Sequence, residues 1–154
     1  MKKIFIPWLG LVIFFTACKN SDTKNDPAKE LKAKADSVRQ EAIDEHNRGM
    51  GGWMKIEGRQ KQIQNVLDSI GTLPAKAQSA LVSLKAKLNE TKDELSNAYK
   101  EMDDWMKVMR LDSAANDPEV RMQYYTNEKL KGSKITELIN AGLKKADSLV
   151  KTKF

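Results

Sequence analysis

Residues 74–110, PAKAQSALVSLKAKLNETKDELSNAYKEMDDWMKVMR, carry the most regular apolar pattern in the chain. Apolar or small side chains recur there at alternating steps of four and three. They are Ala77, Leu81, Leu84, Leu88, Thr91, Leu95, Ala98, Met102, Trp105 and Met109. This spacing places a single apolar stripe along one face of an α-helix and is typical of coiled-coil-like packing. The segment is therefore predicted to be one long helix, and the rest of the chain must supply the helices that cover its stripe.

A similar stripe precedes this helix and another follows it. The first runs from Leu31 to Ile70, and the last from Val120 to Leu149. An Asp-Pro pair stands just before each stripe, Asp26-Pro27 before the first and Asp117-Pro118 before the last. Such a pair combines a capping carboxylate with a proline suited to the first helical turn, so it marks the start of the helix. The predicted fold is all-α: an elongated up-down-up three-helix bundle over residues 27–151, with helices at about 27–70, 74–110 and 118–150.

Three glycines, Gly49, Gly51 and Gly52, interrupt the first stripe. Glycine in a helix interior costs about 1 kcal/mol relative to alanine, so the cluster could divide the helix in two. The alternative is one continuous helix whose glycines let a neighbouring helix approach closely. Because the stripe keeps its phase across the glycines, we predict the continuous helix.

Residues 1–17 have the organisation of a bacterial lipoprotein signal peptide. Lys2 and Lys3 form a positive start, and the apolar run from Ile4 to Phe15 is too short to cross a bilayer, which needs about 20 residues. Phe15-Thr16-Ala17-Cys18 then resembles a lipobox, with small residues just before a cysteine. We predict cleavage before Cys18 and acylation of Cys18, because several acyl chains anchor a protein stably. An ordinary cleavable signal with a chance cysteine is the alternative.

Residues 18–26 are predicted to be the lipidated cysteine and a flexible tether. The segment 19–27, KNSDTKNDP, contains no apolar residue. Lys19 stands directly after the cysteine, where an aspartate would favour retention in the inner membrane, so an outer-membrane location is expected. The lipid bilayer is the first predicted partner, through acylated Cys18, and the membrane face that the protein occupies is left open.

The composition of the chain limits the classes of function that it can have. The 154 residues carry a formal net charge of +6, with basic and acidic residues interspersed as on a solvated helical surface. Because the basic residues do not concentrate and the chain carries an export signal, no nucleic-acid partner is expected. The chain has no Gly-rich phosphate loop, no Cys/His pair and no Gly-x-Ser-x-Gly motif, so we predict no catalytic activity and no cofactor. The expected role is structural or protein-binding, with an unidentified envelope protein or a second copy as partner.

Histidine, methionine and aromatic residues gather in the half of the bundle nearer the anchor when the predicted helices are folded antiparallel. The residues predicted to offer a partner surface there are Trp53, Trp105, Met106 and Tyr125. Imidazole and thioether groups also ligate Cu(I), and a His/Met pair can hold haem iron. The alternative function is therefore soft-metal or haem binding through His46, Met50, Met102 and Met106. The simplest interpretation of the methionines is core packing, since their side chains fill irregular gaps.

Two segments carry a resemblance to a known family. They are His46-Asn47-Arg48-Gly49-Met50 and the stretch 98–106, AYKEMDDWM. Both resemble a family of small helical lipoproteins from Bacteroidota, many of them labelled "viral A-type inclusion protein", which have a His-x-x-x-Met segment in the first long helix and Met-x-x-Trp-Met late in the second. The resemblance extends over most of the chain after the signal and implies a helical lipoprotein, without an activity. The glycines at 49–52 depart from the family pattern.

Overall fold

The structure, a computed structural model, describes residues 26–151. Its elements are α1 (Pro27–Gly71), α2 (Ala75–Ala80), α3 (Val82–Val108) and α4 (Pro118–Val150). The long helices α1, α3 and α4 pack together as an up-down-up bundle, and the short α2 leads into α3. The predicted all-α helical bundle is confirmed. The predicted signal peptide, Cys18 and the tether up to residue 25 lie outside the described residues.

The two Asp-Pro pairs start helices as their sequence indicates. The Asp26 carboxylate accepts a hydrogen bond from the backbone N–H of Ala28 at 3.1 Å. The Asp117 carboxylate accepts from the N–H groups of Glu119 and Val120, at 3.0 and 3.1 Å. These bonds satisfy donors that the first turn of a helix otherwise leaves unpaired. The predicted helices at about 27–70 and 118–150 correspond to α1 and α4.

The prediction of one uninterrupted helix over 74–110 is wrong. The helix is divided at Leu81, whose N–H donates to the carbonyl of Gln78 at 3.1 Å, a tighter turn than that of an α-helix. It also ends earlier, at Val108, because Met109 has extended backbone angles (φ −66°, ψ 126°). Neither glycine nor proline lies between residues 75 and 82. Leu81 packs against the hydrophobic core, so packing rather than helix propensity accounts for the tightened turn.

Helix α1 is continuous through its glycines, as the phase of its stripe predicts. A Cβ atom on Gly49 would meet the Met102 side chain of α3 and would lie 2.8 Å from the Thr136 hydroxyl of α4. A Cβ atom on Gly52 would lie 2.6 Å from Cγ2 of Ile139. Gly51, in contrast, has open space around it. Two of the three glycines therefore serve the close approach of neighbouring helices.

Helices α1 and α4 run side by side in the same direction. Three ion pairs between them follow in step along both helices: Arg121–Asp36 at 3.0 Å, Lys129–Glu41 at 2.5 Å and Arg59–Asp147 at 2.6 Å. Helix α3 runs antiparallel to both and covers the seam between them. The core is aliphatic toward the α1 C-terminus, around Ile63 and Leu88, and richer in aromatic and sulfur-containing side chains toward its N-terminus.

Candidate functional site

Two residues predicted to form a partner surface are core residues. Trp105 is 4% exposed and Tyr125 is 0% exposed. The indole N–H of Trp105 donates to a Glu128 carboxylate oxygen at 2.6 Å, and the Tyr125 hydroxyl donates to the backbone carbonyl of Arg110 at 3.0 Å. Because their polar atoms are satisfied inside the bundle, these aromatic side chains hold the helices together, and the prediction that they face a partner is wrong.

Trp53 and Met106 are only partly buried. The Trp53 ring stacks on Tyr99, with ring centroids 4.6 Å apart and planes at 17°. Its indole N–H donates to the Tyr99 backbone carbonyl at 3.1 Å, which ties α1 to α3. Of the four predicted surface residues, these two keep some exposed area, and neither joins a larger apolar surface with the other two.

The residues of the predicted metal site are brought together only in part. A cavity of about 220 Å³ between α1 and α3 is lined by Ile43, His46, Met106, Met109 and Leu111. The His46 ring lies 5.9 Å from the Trp105 ring, and its Nδ1 is 3.4 Å from the side-chain oxygen of Asn47. Within residues 26–151, no group of three or more His, Cys, Asp and Glu side chains is suited to a metal ion.

The other two predicted ligands do not line this cavity. Met102 is fully buried, with its methyl end against Gly49, and Met50 lies elsewhere on α1. Met109, which was not predicted as a ligand, takes their place beside Met106. Its position three residues after Met106 was a signal that could have identified it, because residues at i and i+3 share one face of a helix.

A continuous concave surface lies between α3 and α4, and we refer to it as the α3–α4 groove. It consists of three adjacent depressions of about 570, 300 and 500 Å³. The first two share Ala141 and Lys145, and the last two share Glu101 and Leu138, so the groove is continuous. Its floor is formed by small or apolar side chains, namely Thr91, Ala98, Trp105, Ile135, Gly142 and Leu149.

Two large apolar side chains in the α3–α4 groove are open to solvent. Leu138 is 46% exposed and Val108 is 65% exposed. Both line the depression nearest the α3 C-terminus, above the buried edge of Trp105. A single exposed leucine on a soluble protein needs no explanation, but two in one continuous groove mark a candidate binding surface.

The two rims of the groove carry opposite charge. The α3 rim contains Glu90, Glu94, Glu101 and Asp104, with Lys87 as its one basic residue, and the α4 rim contains Lys131, Lys134, Lys144 and Lys145. Lys145 and Glu94 form an ion pair across the groove at 2.5 Å. The hydrogen bond that Lys145 donates to the Glu94 carboxylate holds the pKa of Lys145 above its usual value. Among the described residues, neither Glu101 nor Lys134 forms an ion pair within 4.0 Å, and the nearest opposite charge acting on Glu101 is that of its chain neighbour Lys100.

This groove was not predicted, because the predicted partner surface was based on aromatic and sulfur-containing residues. A usable signal was present in the charges. Acidic residues follow one edge of the α3 stripe at positions 90, 94, 101 and 104, and basic residues follow one edge of the α4 stripe at 131, 134 and 145. Steps of three, four, seven and eleven keep such residues on one helix face.

Over residues 26–151, the fold is a helical bundle that carries the amphipathic α3–α4 groove and the small cavity beside His46. Comparison with protein-family models, with curated proteins and with solved structures finds no match to this chain. The resemblance to the Bacteroidota lipoproteins therefore stays a prediction. Between residues 26 and 151, no helix combines the length and the apolar character needed to cross a membrane.

Proposed function

We propose that the protein is a lipid-anchored lipoprotein of the bacterial envelope that binds a helical protein surface in its α3–α4 groove. The observation that carries this proposal is the groove itself, an apolar floor with Leu138 and Val108 exposed and with charged residues on both rims. An apolar centre within a polar rim is the usual anatomy of a protein interface. A helix laid in such a groove contributes apolar anchors at steps of three and four residues.

The anchoring part of the proposal is supported by the lipobox-like sequence before Cys18. Eight residues separate Cys18 from Pro27, the first residue of α1. An extended chain spans at most about 3.3–3.6 Å per residue, so the bundle would stay within about 30 Å of the acyl chains. The outer membrane is the proposed location, and the groove would then act close to the membrane surface.

Site-specific photocrosslinking of the full chain in its own membranes tests the groove. A photoreactive residue replacing Leu138 should give a crosslinked protein product, because this side chain is exposed inside the groove. The same residue replacing Glu57, exposed on α1, is the matched control and should give none. Equal yields from both positions would contradict the proposal, and so would the absence of a protein product at Leu138.

A second candidate function is binding of a soft metal ion, favoured by the cavity that His46, Met106 and Met109 share. Thioether and imidazole groups suit Cu(I). At about 220 Å³ the cavity is smaller than the roughly 300–1,000 Å³ of typical small-molecule sites, so a single ion fits it better than haem. Anaerobic titration with Cu(I) against a chelator should show binding that His46→Leu or Met109→Leu weakens. Met54→Leu, at an exposed position outside the cavity, should leave it unchanged.

A further inference from the structure

We infer that the occupant of the α3–α4 groove is a second copy of this chain, packed in the same direction about a twofold axis parallel to the helices. This inference rests on the proposed function of the groove and names its partner. Two copies related by a twofold axis present the same surface to each other, so a face that binds its own copy must be self-complementary. The rims of the groove meet this condition, since one is acidic and the other basic.

The distribution of charge selects one of two face-to-face arrangements. A twofold axis parallel to the helices places α3 of each copy against α4 of the other, so that acidic and basic rims meet on both sides of the axis. A twofold axis across the helices places α3 against α3 and α4 against α4. That arrangement opposes like charges on both sides, which is unfavourable at an interface. The charges therefore favour two copies that point the same way.

The parallel arrangement also keeps the two copies in register. Rotation about an axis along the bundle leaves every residue at the same height along that axis. Glu101 of one copy therefore lies opposite Lys134 of the other, and Lys134 of the first copy lies opposite Glu101 of the second. Glu101 and Lys134 line the same depression of the groove and have no ion-pair partner among residues 26–151. The exposed Leu138 and Val108 side chains lie at the same level and would be buried between the copies.

The parallel orientation is also compatible with the proposed acyl anchor at Cys18 of each copy. A parallel pair brings both copies of Pro27, where α1 begins, to one end of the assembly. Both proposed acyl anchors could then enter the same bilayer. An antiparallel pair would place the two anchors at opposite ends of helices that are about 65 Å long at 1.5 Å per residue.

Charge reversal tests the pairing in full-length chains. Two copies of the complete sequence carrying different affinity tags are co-expressed, extracted in detergent and purified through one tag, and the recovery of the other tag is measured. With wild-type chains, both tags should be recovered. Glu101→Lys paired with itself, or Lys134→Glu paired with itself, should recover the second tag at least about tenfold less, because symmetry places each repulsive contact twice in the dimer.

The decisive combination is Glu101→Lys in one copy with Lys134→Glu in the other. Both contacts across the axis are then between opposite charges, so recovery should return to the wild-type level. The charge reversals Glu57→Lys and Lys61→Glu on the outer face of α1 are matched controls and should leave recovery unchanged. Unchanged recovery for the two self-pairs, or no rescue by the mixed pair, would overturn the inference.

Circular dichroism checks that each variant stays helical. If a reversal lowers the helix content, Glu101→Gln and Lys134→Gln replace it. Each neutral variant paired with itself should recover less of the second tag than the wild type does. Pairing Glu101→Gln with Lys134→Gln should not restore recovery, because no new opposite charges meet. Wild-type recovery for both self-paired neutral variants would overturn the inference. Failure of self-pairing is distinguishable from failure of the proposed function. A Leu138 crosslink to a different protein, with no recovery of the second wild-type tag, would overturn self-pairing alone, whereas no Leu138 crosslink would overturn both.

Discussion

At the residue scale, the bundle depends on positions where a side chain is missing. Gly132 of α4 faces Trp105, and a Cβ atom there would lie 2.5 Å from Cη2 of the indole and 3.1 Å from Cβ of Glu45. Trp105 fills this space and donates its N–H to Glu128, which is itself buried. The largest aromatic side chain of the core therefore sits against a glycine because no other residue leaves it room.

Alanine at two glycines should change stability in opposite directions. Gly132→Ala should lower the free energy of unfolding by about 1–2 kcal/mol, because overpacking against a rigid indole outweighs the gain in helix propensity. Gly51→Ala, with nothing within 4 Å of the new Cβ, should raise it by about 0.5–1 kcal/mol. Urea unfolding followed by circular dichroism measures both changes. A stabilised Gly132→Ala variant would show that Trp105 can move aside at no cost.

At the element scale, the helices differ in how their ends are held. The start of α4 is fixed by an aspartate that accepts two backbone N–H groups, whereas the aspartate at the start of α1 accepts one. The junction between α2 and α3 has no side-chain cap at Leu81 and depends on packing. The helix starts that an aspartate side chain specifies are those that the sequence predicts, whereas the break at Leu81, where no side chain caps the helix, is missed.

Loss of the α4 cap should be measurable as a lower melting temperature. Asp117→Ala removes the acceptor for two N–H groups and should cost about 1 kcal/mol, which for a domain of this size is a fall of about 4 °C. Asp26→Ala, which removes the acceptor for one N–H group, should lower the melting temperature less. Thermal unfolding of both variants makes the comparison, and an equal or reversed order would contradict the role assigned to the Asp117 carboxylate.

At the scale of the whole molecule, the protein is a long, thin bundle in which the seam between α3 and α4 is not filled by side chains. Glycines draw α1 and α4 together, and α3 covers only one side of that pair. The remaining seam between α3 and α4 is the groove. A three-helix rod buries its apolar stripes less completely than a globular domain, because its surface is large relative to its volume. Apolar residues therefore stay exposed in the seam, where a partner protein can bury them.

The proposed anchor predicts where the whole molecule is found. Cys18→Ser should abolish incorporation of labelled fatty acid and should release the chain from the detergent-soluble membrane fraction, because the acylated sulfur would be lost. Thr16→Ser keeps a small residue in the lipobox-like segment and is the control that should retain both properties. Metabolic labelling with cell fractionation provides the measurement. Undiminished labelling of the Cys18→Ser chain would contradict lipidation at this position.

Prediction from sequence worked best where local chemistry decides the structure. The apolar steps of three and four predict the helices, and the Asp-Pro pairs predict two of their starts, because both depend on neighbours within one turn. The continuity of α1 through its glycines was predictable from the phase of the stripe. The partner surface was mispredicted at Trp105 and Tyr125, because an aromatic residue in a stripe does not reveal whether the bundle buries it.

The amino-acid sequence therefore determines the helical class, the number of long helices and their up-down-up order, since these follow from periodicity and short turns. Tertiary packing decides which seam stays open. Glycines on α1 and α4, which are distant in the sequence, let the three long helices approach closely, and the side chains of α3 and α4 leave the groove between them open. The charges of the two rims are visible in the sequence, but only the arrangement of the helices sets them opposite each other. That arrangement depends on side-chain volumes summed over three helices, which no local pattern contains.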